Sequence, residues 1–220
     1  MVGILAVVSH PDDETFGCGG TLALHSAKDD KVMVLCLTCD PYSRKKELRD
    51  ACLVLGAPEP IVLESDEVKT SRVLVKSVAD VLVKEKPKIV ITHLPFDYHS
   101  DHRATYEVVK EAIEWAAHTT TYKDPWLVSR LLLMEVNTLI PNPHIYVNIT
   151  GVIKKKMDAV EHYTSQLSKF PWGYYQSFTR KKTELRGVQA DCLNAEAFVE
   201  ESISKNSSFY SLKATANLLR

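Results

Sequence analysis

Ser9-His10-Pro11-Asp12-Asp13-Glu14-Thr15-Phe16-Gly17-Cys18-Gly19-Gly20 is the stretch from which the fold is read. It lies directly behind the apolar run Ile4-Leu5-Ala6-Val7-Val8 and sets a histidine, three carboxylates and three glycines in a row. A short apolar run, then glycines, then an amphipathic segment predicts a strand over 4–8, a loop, and a helix over 20–28. In open α/β sheets the strand ends on that side are where ligands bind. A buried strand gains nothing from His-Pro-Asp-Asp-Glu at its exit, so the composition marks chemistry rather than packing.

The same alternation continues outward from this stretch. Strands are expected over 32–37, 61–63 and 88–93, and helices over 43–55, 71–85 and 101–118. Gly56-Ala57-Pro58 ends the second helix. In the third, Val73, Leu74, Ser77, Val78, Val81 and Leu82 share one face. Four strand–helix units in succession predict a parallel sheet with right-handed crossovers. The second half is less regular: strands over 129–136 and 145–149, a helix over 150–167 with Thr150 as N-cap, an aromatic loop over 170–175, a helix over 175–194, a closing strand over 198–202 and a short helix in the tail. The expected architecture is α/β: one Rossmann-like domain over 1–220, a mainly parallel sheet flanked by helices, with an irregular C-terminal part.

The 220 residues suffice for a sizeable core, and 45% hydrophobic with 25% charged residues is an ordinary globular balance. A formal net charge of -1 leaves no footprint for nucleic acid. No run reaches the ~20 apolar residues that span a bilayer, and the start lacks the charged region of a signal peptide. A cytoplasmic protein without stable membrane insertion is the expectation. Five cysteines are an odd number, and the Cys36–Cys39 pair has no second pair to complete a structural zinc site. That CxxC is read as incidental.

A second polar cluster, Phe96-Asp97-Tyr98-His99-Ser100-Asp101-His102-Arg103, follows the fourth expected strand as the first follows strand one. Two strand-end loops of one parallel sheet face the same edge, so the clusters can converge. Together they offer His10, Asp12, Asp13, Glu14, His99, Asp101 and His102, a donor set suited to a divalent metal. A dinucleotide site is the competitor for glycines after a first strand. However, Leu22 stands where GxGxxG requires its third glycine, and the carboxylates would repel a pyrophosphate. His10-Pro11-Asp12 with a remote histidine also has the spacing of an iron(II) oxygenase triad, a pattern at odds with alternating strands and helices.

These residues resemble the LmbE-like (PIG-L) family of zinc-dependent N-acetylglucosaminyl de-N-acetylases. The resemblance rests on His10-Pro11-Asp12-Asp13-Glu14 with Gly19-Gly20-Thr21-Leu22-Ala23, and on His99-Ser100-Asp101-His102-Arg103. Supporting segments are Arg44 to Glu47 with Ala51 and Leu55-Gly56, then Tyr146 to Thr150 with Lys155, Ala159 and His162 to Gln166. Arg186-Gly187 and Ala195-Glu196-Ala197-Phe198 complete the series. The resemblance implies His10, Asp13 and His102 as Zn2+ ligands and Asp12 as general base. It implies His99 as the group that, as imidazolium, stabilises the oxyanion or protonates the leaving amine, with Asp101 orienting a histidine or capping the following helix. Arg44, Asp66 and Arg103 are the implied substrate contacts, and Glu14 supports the loop. The implied reaction removes acetyl from a small-molecule N-acetylated amino sugar or its glycoconjugate. Asp97 stands where some members have a tyrosine near the oxyanion, and Asn148 replaces a common Asp. The rival is a non-catalytic metal- or sugar-binding module. The aromatic loop reads first as ordinary packing, with sugar stacking or the interface of a homo-oligomer as the functional alternatives.

Overall fold

The computed structural model describes residues 3–39, 41, 43–63, 65 and 67–203. Asp66 and the helix expected in the tail lie outside them. Strands β1 (Gly3–Val8), β2 (Lys31–Cys36), β3 (Ile61–Val62), β4 (Ile89–Thr92) and β5 (Arg130–Met134) run parallel in the order β3-β2-β1-β4-β5. Strand β7 (Ala195–Glu201) joins β5 antiparallel, and β6 (Ile145–Asn148) joins β7 antiparallel, giving a seven-stranded mixed sheet. The helices are α1 (Asp13–Ser26), α2 (Ser43–Leu55), α3 (Arg72–Glu85), α4 (Ser100–Ala116), α5 (Ile153–Val160), α6 (Thr164–Leu167) and α7 (Tyr174–Gln189).

Alternation along β1 builds both cores. Leu5 and Val7 pack with α3 and α4 residues such as Val78, Leu82 and Val109 on one face. Ile4, Ala6 and Val8 pack with Leu22, Leu48 and Val160 on the other. A central parallel strand covered on both faces reads as a continuous apolar run for this reason. Ser71 caps α3 by accepting from the Leu74 amide at 3.2 Å.

The differences from expectation have local causes. Helix α1 starts at Asp13 rather than residue 20, because Asp12 at φ 118 makes the turn and its carbonyl accepts from the Thr15 and Phe16 amides at 3.0 and 2.9 Å. The glycines therefore lie inside a helix kinked at Cys18 (φ -139, ψ 15). The helix expected over 150–167 is split. Thr150 opens a 3-10 turn (Thr150–Val152), not an α-helix, and its hydroxyl accepts from the Asn194 amide at 3.1 Å. The chain breaks again before α6 where Tyr163 (φ -86, ψ 53) enters the core and donates to Glu14. Helix α7 ends at Gln189 so that β7 can begin at Ala195.

Candidate active site

Strands β1 and β4 are neighbours whose connections leave in different directions, which opens a crevice at their C-terminal ends. The chain after β1 delivers residues 9–14 to it, and the chain after β4 delivers residues 93–102. The Ser9 amide donates to His93 Nε2 at 3.0 Å, tying the two exits together.

The first exit is held in a strained shape. Asp12 adopts φ 118, a conformation that costs a non-glycine residue about 1–3 kcal/mol. Its amide donates to Glu14 Oε2 at 3.1 Å, and Arg44 donates from Nη2 to the Pro11 carbonyl and to Asp12 Oδ2, the latter at 2.8 Å. Glu14 is itself fixed by Thr15 and Tyr163. The two adjacent aspartates consequently face different ways: Asp12 towards Arg44, Asp13 towards the histidines. Burial pushes the Asp12 carboxyl well above the usual range, with the Asp13 charge reinforcing it and Arg44 opposing it. Burial acts the same way on Asp13, but His102, His93 and His10 overcome it and hold that carboxyl well below the usual range.

Hydrogen bonds set the ring nitrogens. His10 Nε2 lies 2.9 Å from Asp101 Oδ2 and its Nδ1 3.5 Å from Asp13 Oδ2; burial would lower the His10 pKa, but the Asp13 and Asp101 carboxylates overcome it and raise it. His102 Nε2 lies 3.1 Å from Asp13 Oδ1, and its Nδ1 lies 3.2 Å from Asp97 Oδ1. His99 Nδ1 accepts from the Asp101 amide at 3.2 Å and so caps α4, which leaves a neutral His99 with its Nε2–H as donor. Burial lowers the His99 pKa, and positive His102 and His10 lower it further, which favours that neutral form over the expected imidazolium. His99, not Asp101, is the helix cap; Asp101 is the partner of His10.

The donor set is of the kind that holds a divalent ion. Bonds of ~2.0–2.2 Å in tetrahedral geometry place neighbouring ligand atoms about 3.3–3.5 Å apart; His102 Nε2 lies 3.1 Å from Asp13 Oδ1, while His10 Nδ1 lies 3.5 Å from the other oxygen of that carboxylate, Oδ2. Among the described residues, two groups of three have donor atoms within 4.8 Å of one another: His10, His99 and His102, and Asp13, His93 and His102. His93 was not expected at the site, although it ends the fourth apolar run. It is fully buried, stacks on His102 at 3.9 Å between centroids, and its Nε2 lone pair already serves the Ser9 amide. Asp97, noted in the sequence only as a replacement for tyrosine, is buried beside His102, and the hydrogen bonds and positive charge around it outweigh burial to lower its pKa to about 2.

The expected substrate contacts are placed differently. Arg44 is buried on the cleft wall and bound to Asp12. Arg103 is exposed and donates from Nη1 to the Asp97 and Tyr98 carbonyls, both at 2.7 Å, so it braces the loop. Gln166, Lys169, Asn137 and Tyr175 line the cleft together with Arg44. The cleft encloses about 220 Å³. The glycines do not line it: a Cβ on Gly20 would lie 2.7 Å from Ile149 Cδ1, because the Gly20 amide donates to buried Glu196 at 2.8 Å. The buried lysine that pairs with Glu196 is Lys156, while Lys155 of the family-like segment is exposed.

A family model described as PIG-L: GlcNAc-PI de-N-acetylase matches residues 5–113, which carry both polar clusters. The chain is 25% identical over 210 residues to "Probable N-acetyl-alpha-D-glucosaminyl L-malate deacetylase 2" of Bacillus anthracis, covering 86% of this chain and 87% of that protein. It is 24% identical over 200 residues to the diacetylchitobiose deacetylase of Thermococcus kodakarensis, covering 80% and 74% respectively. The crystal structure of a conserved protein from Thermus thermophilus superposes with a TM-score of 0.84 at 26% identity, covering 100% of both chains.

Proposed function

With the chain belonging to the PIG-L (LmbE-like) family, we propose that it is a metal-dependent amide hydrolase that removes the acetyl group from an N-acetylated amino sugar or its glycoconjugate and releases acetate. The observation that carries this is the divergence of Asp12 and Asp13: one carboxylate faces the histidine donors while its neighbour lines the same cleft with a raised pKa. His10, Asp13 and His102 are the assigned ligands and zinc the assigned ion. The hydrogen bond from His10 to Asp101 and the contact of His102 with Asp97 support this set, since each frees one ring nitrogen towards Asp13. His93 has its acceptor occupied by Ser9, which argues against it as a ligand. A bound divalent ion supplies Lewis-acid polarisation of the acetamide and of water.

The protein side chains do the rest. Asp12 takes the proton from the attacking water as general base, its pKa raised by burial. Arg44 keeps that carboxylate pointed into the cleft through its 2.8 Å contact. His99 presents Nε2–H to the carbonyl oxygen where negative charge develops, a contribution of about 3–4 kcal/mol for one such donor. Proton delivery to the leaving amine is assigned to Asp12 once it has been protonated. The iron-triad alternative requires Asp12 as ligand, whereas Arg44 engages Asp12 and Asp13 meets the histidines.

The test is turnover of a panel of N-acetylated sugars with zinc, read as free amine. Asp12→Ala is expected to retain zinc and lose at least about a hundredfold in kcat; full activity in that variant would overturn its role. A folded, zinc-loaded wild type without turnover across the panel would favour the non-catalytic binding module.

A further inference from the structure

The cleft has a third arm. Strand β5 lies parallel beside β4, so its C-terminal exit opens on the same sheet edge as the exits of β1 and β4. That exit brings Val136 and Asn137 to the cleft wall. The backbone around Asn137 is pinned on both sides. Buried Lys182 of α7 donates to the carbonyls of Glu135, Val136 and Phe16 at 2.6, 3.2 and 3.1 Å, so one ammonium group joins this arm to Phe16, another residue of the wall. Arg186 holds the Glu135 carboxylate and donates to the Ile140 carbonyl at 2.8 Å, and that carboxylate accepts from the Ile140 amide at 2.6 Å. Thr138 Oγ1 accepts from the Tyr98 amide at 3.2 Å, which fastens the arm to the loop after β4. Residues 135, 136, 138 and 140 are each held. The half-buried Asn137 side chain, in contrast, has no hydrogen-bond partner among the described residues.

Local structure gives no reason for an asparagine here. Asparagine is common in loops because it tolerates positive φ and because its carboxamide closes turns or caps helices by bonding nearby backbone. Asn137 is not at positive φ, and its carboxamide makes no such bond. A rigid backbone behind an unpaired amide gains nothing for the fold, whereas it spares a ligand the cost of ordering that group. Its neighbours narrow what it meets. Arg44 is bound to Asp12, and Lys169 donates to Gln166 Oε1 at 2.6 Å while Gln166 Nε2 donates to Ser165 Oγ at 3.2 Å. Asn137 presents one acceptor and two donors and no charge. A hydroxyl, which donates and accepts at once, is the group that matches it. We propose that Asn137 is a specificity residue whose carboxamide hydrogen-bonds a ring hydroxyl of the amino sugar, so that the β5 exit reads the sugar while the β1 and β4 exits act on its acetamide. This rests on the deacetylase function proposed above and adds a substrate contact to that same cleft.

The test uses N-acetylglucosamine and its 3-, 4- and 6-deoxy analogues on zinc-loaded protein. Asn137→Ala should raise KM for the parent sugar about three- to tenfold, the range of one neutral hydrogen bond, and leave kcat within about twofold. One of the three analogues should show the same loss on the wild type, and Asn137→Ala should not weaken that analogue further, because the contact is already gone. The other two should lose as much as the parent. Since the carboxamide supports no bond within the fold, the urea midpoint of Asn137→Ala should not move. The proposal is overturned if Asn137→Ala leaves KM for the parent unchanged, or if it weakens the parent and all three analogues by one common factor. It is also overturned if the urea midpoint falls, which would make Asn137 part of the loop's packing. Binding is read apart from turnover: an NMR titration of zinc-loaded protein with N-acetylglucosamine gives a Kd whether or not acetate is released. A wild type that binds the sugar and releases no acetate would refute the deacetylase function, while a Kd raised by Asn137→Ala would still uphold the contact. An equal Kd in both proteins, or binding in neither, would overturn it.

Discussion

At the scale of single residues, the site is governed by which proton each buried group keeps. Burial would lower the His102 pKa, but the Asp13 and Asp97 carboxylates win and raise it to about 10 in metal-free protein. A group whose folded pKa lies above its unfolded value of 6.5 stabilises the fold fully below pH 6.5, and that contribution is lost as pH rises through about 10. Metal-free protein should therefore lose stability across that window, by up to about 1.4 kcal/mol per pH unit from this group, as measured by urea unfolding. Zinc-loaded protein should not, because His102 then carries no proton at Nε2. By the same linkage, zinc binding near pH 8 should release a proton from His102, detectable by calorimetry in buffers of different ionisation enthalpy. His10→Ala and His102→Ala should each lose both metal and activity, with zinc content per chain as the check. His10, Asp12, Asp13, His99, Asp101 and His102 were all legible in the sequence because their spacing sits at two strand ends. His93 and Asp97 were not, since one reads as the end of an apolar run and the other as a loop acid, and only the packing of β1 against β4 brings them to His102. The Arg44–Asp12 contact was hidden for a similar reason: an arginine in the first turn of a helix reads as solvated until the helix docks.

At the scale of elements, boundaries followed wherever a local signal was strong. Helix α2 runs over the expected 43–55 between its start and the Gly56 turn, and Ser71, expected as the first residue of α3, is its N-cap. Ser71→Ala should cost about 1 kcal/mol in chemical unfolding and leave turnover unchanged. The larger differences arise where buried polar groups replace helical hydrogen bonds. In α1 the Gly20 and Thr21 amides donate to Glu196 at 2.8 and 2.7 Å, and Lys156 and Lys182 each donate to the Phe16 carbonyl at 3.1 Å. A kink sustained by residues 140 to 176 positions away leaves no trace in a local pattern. Gly20→Ala should destabilise by about 1–3 kcal/mol, because its methyl group meets Ile149 and Glu196 in a packed core; unchanged denaturant midpoints would contradict that packing. Glu47 ties α2 to the start of α6 by accepting from Thr164 Oγ1, the Ser165 amide and Ser165 Oγ at 3.0, 2.9 and 2.6 Å.

At the scale of the whole molecule, the sheet order explains why two clusters 91 positions apart, measured from His10 to Asp101, make one site. Parallel β1 and β4 end side by side, and the crevice between their exits receives both. The alternating half of the chain made this placement legible from sequence. The antiparallel β6 and β7 were visible as strands but not as partners, because their pairing is long-range and carries no turn signature. No helix among the described residues is long and apolar enough to cross a membrane. The central claim is that this cleft cleaves an acetamide under metal control. The direct measurement is NMR quantification of the products formed from N-acetylglucosamine and its β1,4-linked disaccharide by protein stripped of metal and then reloaded with zinc. The account predicts acetate and free amine in equal amounts, no product from the stripped protein, and recovery with about one zinc ion per chain. Folded, zinc-loaded protein that yields no acetate, or stripped protein that yields as much, would contradict it.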